Sequence, residues 1–189
     1  MISFKNNIIL HFLNLCYNKK RGTHMAKNNQ DLMTESKENY LESVLKLSLK
    51  CNIEKFDDDT DKEIFHKEAI DALIELQNDE NVTLKSEVHA INIKDDLNYS
   101  KPSVSIMLHN LENEGFITID NDNHIHLTDI GYQIAKKTYE RHLILSDVLV
   151  QFGVNIKTAL EDACKIEHDL QDETFNIIKN YYINKYCKC

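Results

Sequence analysis

At 189 residues the chain has room for one or two small domains with a real core, and its 42% hydrophobic and 28% charged residues exclude a disordered or fibrous chain. A formal net charge of -9 argues against a non-specific polyanion binder, but leaves room for a DNA reader with a local positive face. The five cysteines (Cys16, Cys51, Cys164, Cys187 and Cys189) are odd in number and lack framework spacing, which points away from a disulfide scaffold and toward a reducing, cytoplasmic setting.

Residues 1–33 begin with a mostly apolar run, Ile2 to Tyr17, followed by Lys19, Lys20 and Arg21. The basic cluster follows the apolar run, the reverse of a signal peptide, and the run is too short and too interrupted to span a bilayer. Lys19-Lys20-Arg21-Gly22 back-translates to a purine-rich tract that can act as a ribosome-binding signal ahead of Met25. The expectation is a leader or non-native extension without fixed structure, with translation starting at Met25 or Met33. Glu35 to Leu49 reads as a helix capped by Thr34, with Tyr40, Leu41, Val44 and Leu45 as its apolar stripe. Asn39 and Glu42, three apart, share a face.

Cys51 to Leu84 is acidic, with a helical centre over Glu63–Gln77. Its start resembles a calcium loop, with Asp57, Asp59, Asp61 and Glu68 at ligand positions. Lys62 stands where the sharp turn needs Gly, so a solvated acidic linker is the competing expectation. Glu87 to Gly115 reads as two helices around the turn Asn98-Tyr99-Ser100. Ser100 is the N-cap, the single proline, Pro102, sits where its missing N–H is harmless, and Gly115 ends the second helix. This is a helix-turn-helix, and Ser100, Ser103 and Ser105 at its second helix start suit phosphate or base contact. Phe116–Asp120 and His124–Leu127 form a hairpin, which makes the unit a winged helix, with His124 and His126 on its exposed face. Three helices follow: Thr128 to Phe152, closed by Gly153; Ile156 to Leu170; and Gln171 to Tyr186. Their apolar surface suggests a dimer interface. On the second of them Cys164, Glu167 and His168 are three and four apart. Thiolate, carboxylate and imidazole then share a face, a donor set for Fe(II), Mn(II) or Zn(II).

Four segments in order carry a resemblance: Glu38-Asn39-Tyr40-Leu41-Glu42, Ser100-Lys101-Pro102-Ser103-Val104-Ser105, Arg141-His142-Leu143 and Asp162-Ala163-Cys164-Lys165-Ile166-Glu167-His168-Asp169-Leu170. Over about residues 35–50 and 86–186 the chain resembles the diphtheria toxin repressor and manganese transport regulator family of iron- and manganese-dependent transcription regulators. The resemblance implies a mainly α protein: a winged helix-turn-helix over 34–127, with an acidic insertion at about 51–85, then a helical metal-binding and dimerisation domain over 128–186. It implies metal ligands Asn39, Glu42, His142, Cys164, Glu167 and His168, and DNA contacts from Ser100, Pro102, Ser103 and Ser105. The implied protein is a homodimeric repressor, not an enzyme and not membrane-bound, that senses Fe(II) or Mn(II), reads a palindromic double-stranded operator and controls metal-uptake genes. Asn39 stands where iron-type members have Met and manganese-type members Asp, and Cys164 is the iron-type choice. Ser146 and Leu160 replace ligands of the iron-type second site, which is expected to be absent. Thiolate softness favours Fe(II) over Mn(II). A metal-independent winged-helix regulator and a metalloenzyme are the alternatives.

Overall fold

The computed structural model describes residues 33–49, 53–78 and 87–186. The expectations for the leader, Cys16, Cys51, Cys187 and Cys189 fall outside these residues. In chain order the elements are α1 (Glu35–Ser48), a 3-10 turn (Ile53–Lys55), α2 (Lys62–Asn78), α3 (Ala90–Leu97), α4 (Lys101–Asn113), β1 (Ile117–Ile119), β2 (Ile125–Leu127), α5 (Asp129–Gln151), α6 (Ile156–Asp169) and α7 (Asp172–Tyr186). The protein is mainly α, with a winged helix-turn-helix followed by helices. Thr34–Leu170 form one compact unit. The described part of the other unit is α7 and its entry; Phe175 and Tyr182 are buried there, while Ile177 and Tyr181 are exposed.

Within the Thr34–Leu170 unit α5 is the central element, with α1, α2 and α6 all packed on it. α1 starts where Thr34 Oγ1 accepts from Lys37 N at 3.4 Å, and the acidic Glu35 and Glu38 in its first turn complement the helix dipole. Its stripe of Tyr40, Leu41, Val44 and Leu45 is buried. α2 buries Phe65, Ala69, Ala72, Leu73 and Leu76, a helical spacing that turns one apolar face inward.

The helix-turn-helix takes shape through its caps. Ser100 Oγ accepts from Ser103 N at 3.2 Å, and Pro102 lies in the first turn of α4. α4 ends on Gly115 at φ +78°, which lets Phe116 N reach back to Leu111 O at 2.9 Å. α3 is shorter than the apolar spacing predicts. Val88 lies before it, and its carbonyl accepts from Ile125 N of the hairpin at 2.8 Å. β1 and β2 pair antiparallel, with Ile117 opposite Leu127 and Ile119 opposite Ile125. Gly131 lets α5 start hard against the hairpin: a Cβ there would lie 2.0 Å from Phe116 O. No helix among the described residues is long and apolar enough to cross a membrane.

Candidate metal centre and nucleic-acid interface

Three helices bring ligand-type side chains together. α1 contributes Glu42, α5 contributes His142 and α6 contributes Glu167, and one donor atom from each lies within 4.8 Å of the others. All three side chains are buried, at 8%, 3% and 1% exposure. Burial at this level requires partners, because a carboxylate loses several kcal/mol of hydration when it leaves water. His142 Nδ1 lies 2.9 Å from Glu167 Oε2. His168, one residue after Glu167, turns Nε2 toward Glu167 Oε1 at 3.4 Å, too long for a hydrogen bond. Asn39 Oδ1, His142 Nε2, Glu167 Oε1 and His168 Nε2 are buried without a well-aligned hydrogen-bond partner, His142 Nε2 meeting Glu54 only at ion-pair distance. Buried polar atoms are normally satisfied, so these orphaned lone pairs are what a cation-binding site supplies.

Two carboxylates outside the expected set also reach in. Glu38 Oε2 lies 2.7 Å from His168 Nδ1, and Glu54 Oε1 lies 2.8 Å from His142 Nε2. Glu38 was legible as the residue one turn before Glu42, on the same helix face. Glu54 belongs to the insertion, and no local pattern marks it. Arg141 steadies the same corner, donating from Nη1 to the carbonyls of Glu167 and Leu170 at 2.7 and 2.6 Å, and so satisfying the end of α6.

The electrostatics follow from this crowding. Burial, and then the charge of Glu167, raise the Glu42 carboxyl to about 8. Burial opposes charge on His142, but hydrogen bonds to Glu167 and Glu54 hold the imidazole well above its ordinary value. His168 is raised as well, with burial opposing and its bond to Glu38 prevailing. Burial works against ionisation of Glu54, yet the His142 hydrogen bond and charge lower its carboxyl to about 2.

Cys164 sits one turn before Glu167 on α6, exposed, and stays outside the trio. Partial burial and the Glu167 charge keep its thiol above the usual range. Ser146, where an iron-type second site needs a ligand, is fully buried and donates to His142 O. The calcium-loop residues do not converge. α2 begins at Lys62, so the chain is already helical where a calcium loop would still be turning. Asp57 Oδ1 accepts from Asp59 N at 3.1 Å, Asp61 Oδ1 caps α2 through Glu63 N at 2.7 Å, and Glu68 faces Lys55 at 3.5 Å. The Asp57 and Asp61 carboxylates thus work as turn and helix caps.

On the other side of the winged helix, Lys101, Pro102, Ser103 and Ser105 are exposed at the start of α4. Ser100 and Ser103 are 2.7 Å apart through their hydroxyls, so part of their capacity is spent on the cap. His109, two turns along α4, is also exposed and escaped the sequence reading. In the wing, His124 Nδ1 and His126 Nε2 each lie 3.1 Å from Asp120 Oδ2, and the His89 ring is 4.6 Å from that of His124. The two histidines are therefore engaged with the hairpin turn rather than simply solvated. α1 also links the site to the helix-turn-helix. Ser43 Oγ donates to Asp96 Oδ2 at 2.7 Å and Lys46 pairs with Asp96 Oδ1 at 2.9 Å, which ties α1 to α3. Lys37 pairs with Glu114 at 2.7 Å, which ties it to the end of α4.

Residues 128–185 match the family described as "Iron dependent repressor, metal binding and dimerisation domain". The chain is 31% identical over 115 residues to the transcriptional regulator MntR of Salmonella typhimurium, covering 61% of this chain and 73% of that protein. It is 27% identical over 82 residues to the diphtheria toxin repressor of Corynebacterium diphtheriae, covering 43% and 36%. Among solved structures it is similar to the metal-dependent transcriptional regulator MtsR, with a TM-score of 0.52 at 20% identity over 79% of this chain. It spans 54% of that regulator's length, and the likeness concerns the fold.

Proposed function

The chain belongs to the diphtheria toxin repressor and MntR family of metal-dependent transcriptional regulators, and we propose that it is a repressor whose Fe(II) or Mn(II) sensor is built from Asn39, Glu42, His142, Cys164, Glu167 and His168. The observation that carries this reading is the meeting of Glu42, His142 and Glu167 within 4.8 Å, beside the orphaned Asn39 Oδ1, Glu167 Oε1 and His168 Nε2. Carboxylate, amide and imidazole donors fit a divalent first-row metal, and the Cys164 thiolate is the soft donor that would favour Fe(II). The relatives are transcription regulators, so the metalloenzyme alternative falls.

A bound metal supplies positive charge that lets Glu42 and Glu167 stay ionised side by side. The residues do the rest. α1 carries Asn39 and Glu42 on one side, and Ser43, Lys46 and Lys37 grip α3 and α4 from the other. Drawing α1 onto α5 and α6 therefore sets where α4 sits. In a homodimer this fixes the separation of two α4 helices, so that both enter major grooves about one helical turn apart on a palindrome. Ser100, Pro102, Ser103 and Ser105 would then meet phosphates and base edges. A coupling of about 1–3 kcal/mol between metal and DNA sites changes DNA affinity roughly 5- to 150-fold, and the effect is reciprocal. In this reading residues 34–127 read DNA, residues 128–186 hold metal and partner, and the controlled genes encode metal uptake.

The test is binding to the DNA upstream of the protein's own gene, with Fe(II) titrated anaerobically and Mn(II) in parallel, against a chelated control. Metal-dependent binding that His168→Ala abolishes is the expected result. Equal binding in chelator would leave a metal-independent winged-helix regulator.

A further inference from the structure

The insertion has no counterpart in the family's motif order, yet its described part is anchored to the core. Ile53 is fully buried, and α2 is tied to α5 by His66 Nδ1 against Asp147 Oδ2 at 2.5 Å and by Gln77 Nε2 donating to Glu140 Oε1 at 2.8 Å. Asp58 Oδ1 also accepts from Lys157 N at the start of α6, at 3.0 Å. Glu54, next to Ile53, is thus held beside the metal centre by packing that does not depend on the centre itself.

Its partner there is one nitrogen of His142. Nδ1 faces Glu167 and the trio at 2.9 Å, and Nε2, on the opposite edge of the ring, lies 2.8 Å from Glu54 Oε1. His168 also meets a carboxylate on each side: Nδ1 is hydrogen-bonded to Glu38 at 2.7 Å, and the orphaned Nε2 lies 3.4 Å from Glu167 Oε1. A ligating imidazole generally gives its second N–H to a carboxylate, which fixes tautomer and ring orientation and raises ligand basicity. Glu54 is not among the donor atoms that gather within 4.8 Å, so its place is behind the imidazole rather than on the metal.

We infer that Glu54 is the positioning residue for His142, so that the inserted segment supplies part of the metal sensor. Glu54, at ion-pair distance from Nε2, would take up the Nε2–H once metal binds and so leave the Nδ1 lone pair for the metal. The inference rests on the metal-centre reading above, and the test separates the two. Mn(II) affinity of the full chain is measured by competition with a chelating dye, and the visible absorption of the Co(II)-loaded protein reports ligand geometry. The variants are Glu54→Gln, Glu54→Ala, His168→Ala and, as a control on the same turn, Lys55→Ala. Affinity should fall in the order parent, Glu54→Gln, Glu54→Ala, with the last roughly 10- to 100-fold weaker and its Co(II) bands displaced. Lys55→Ala should match the parent. If both Glu54 variants bind Mn(II) and absorb with Co(II) as the parent does, while His168→Ala loses metal, the role of Glu54 is overturned and the centre stands. If His168→Ala also binds like the parent, the centre itself is overturned.

Discussion

Each donor in this site carries a proton problem. Glu42 is held protonated up to about pH 8 by burial and by the neighbouring Glu167, and His142 holds its own proton between two carboxylates. Both must release protons before their lone pairs are available to a metal. Below about pH 8 apparent metal affinity should rise with pH, by roughly tenfold per unit for each proton displaced, and the rise should become shallower above as the Glu42 proton is lost. Mn(II) titrations across about pH 6 to 8, with proton release read by calorimetry in two buffers, check this. A flat profile would show that the raised Glu42 does not bind metal. Cys164 is the residue that sets metal preference in this reading. Cys164→Ser should weaken Fe(II) more than Mn(II), and Cys164→Glu should move preference toward Mn(II), as parallel affinity measurements would reveal.

Between elements, the informative contacts are those of α1. Asp96 receives both Ser43 and Lys46, with the Lys46 and Asp96 side chains only 12% and 11% exposed. Asp96→Asn keeps the shape and removes the charge. It should leave metal affinity in the absence of DNA within about twofold while shrinking the metal-induced gain in DNA affinity toward the low end of the usual coupling range. An unchanged gain would mean that α1 transmits through Lys37 and Glu114 instead. The junction of hairpin and α5 is a second such point. Gly131→Ala would push a Cβ to 2.0 Å from a backbone oxygen that cannot swing away, at Phe116. A loss of about 1–3 kcal/mol in denaturant unfolding is expected. The helix caps Thr34 and Ser100 were readable because capping is chemistry within four residues. The true start of α3 was not, because Val88 is claimed by a hydrogen bond from Ile125, distant in sequence.

For the molecule as a whole, metal and folding are linked, since the trio belongs to three helices that meet only in the folded state. Metal at about a hundred times its dissociation constant should add roughly 2.7 kcal/mol to stability. For a chain of this size that is a rise of roughly 5–10 °C in the unfolding midpoint. A thermal scan with Mn(II), repeated after excess chelator, should show the rise and its reversal; identical midpoints would separate the site from the fold's stability.

Helical faces, caps and a hairpin alternation are short-range patterns, and they were enough to indicate a winged helix followed by helices; the resemblance carried by the four ordered motifs implied the family and six candidate ligands. Asn39 and Glu42 shared a face by spacing, as did Cys164, Glu167 and His168. Which of these atoms actually meet is a question of helix packing. Only the tertiary structure turned Glu42, His142 and Glu167 to one point, left the Cys164 sulfur outside it, and dissolved the calcium loop by starting α2 at Lys62. Only it placed Glu38 and Glu54 behind the two histidines. Those pairings join residues 130 and 88 positions apart, and no periodicity in a linear sequence encodes a contact made by burying three helices against one another.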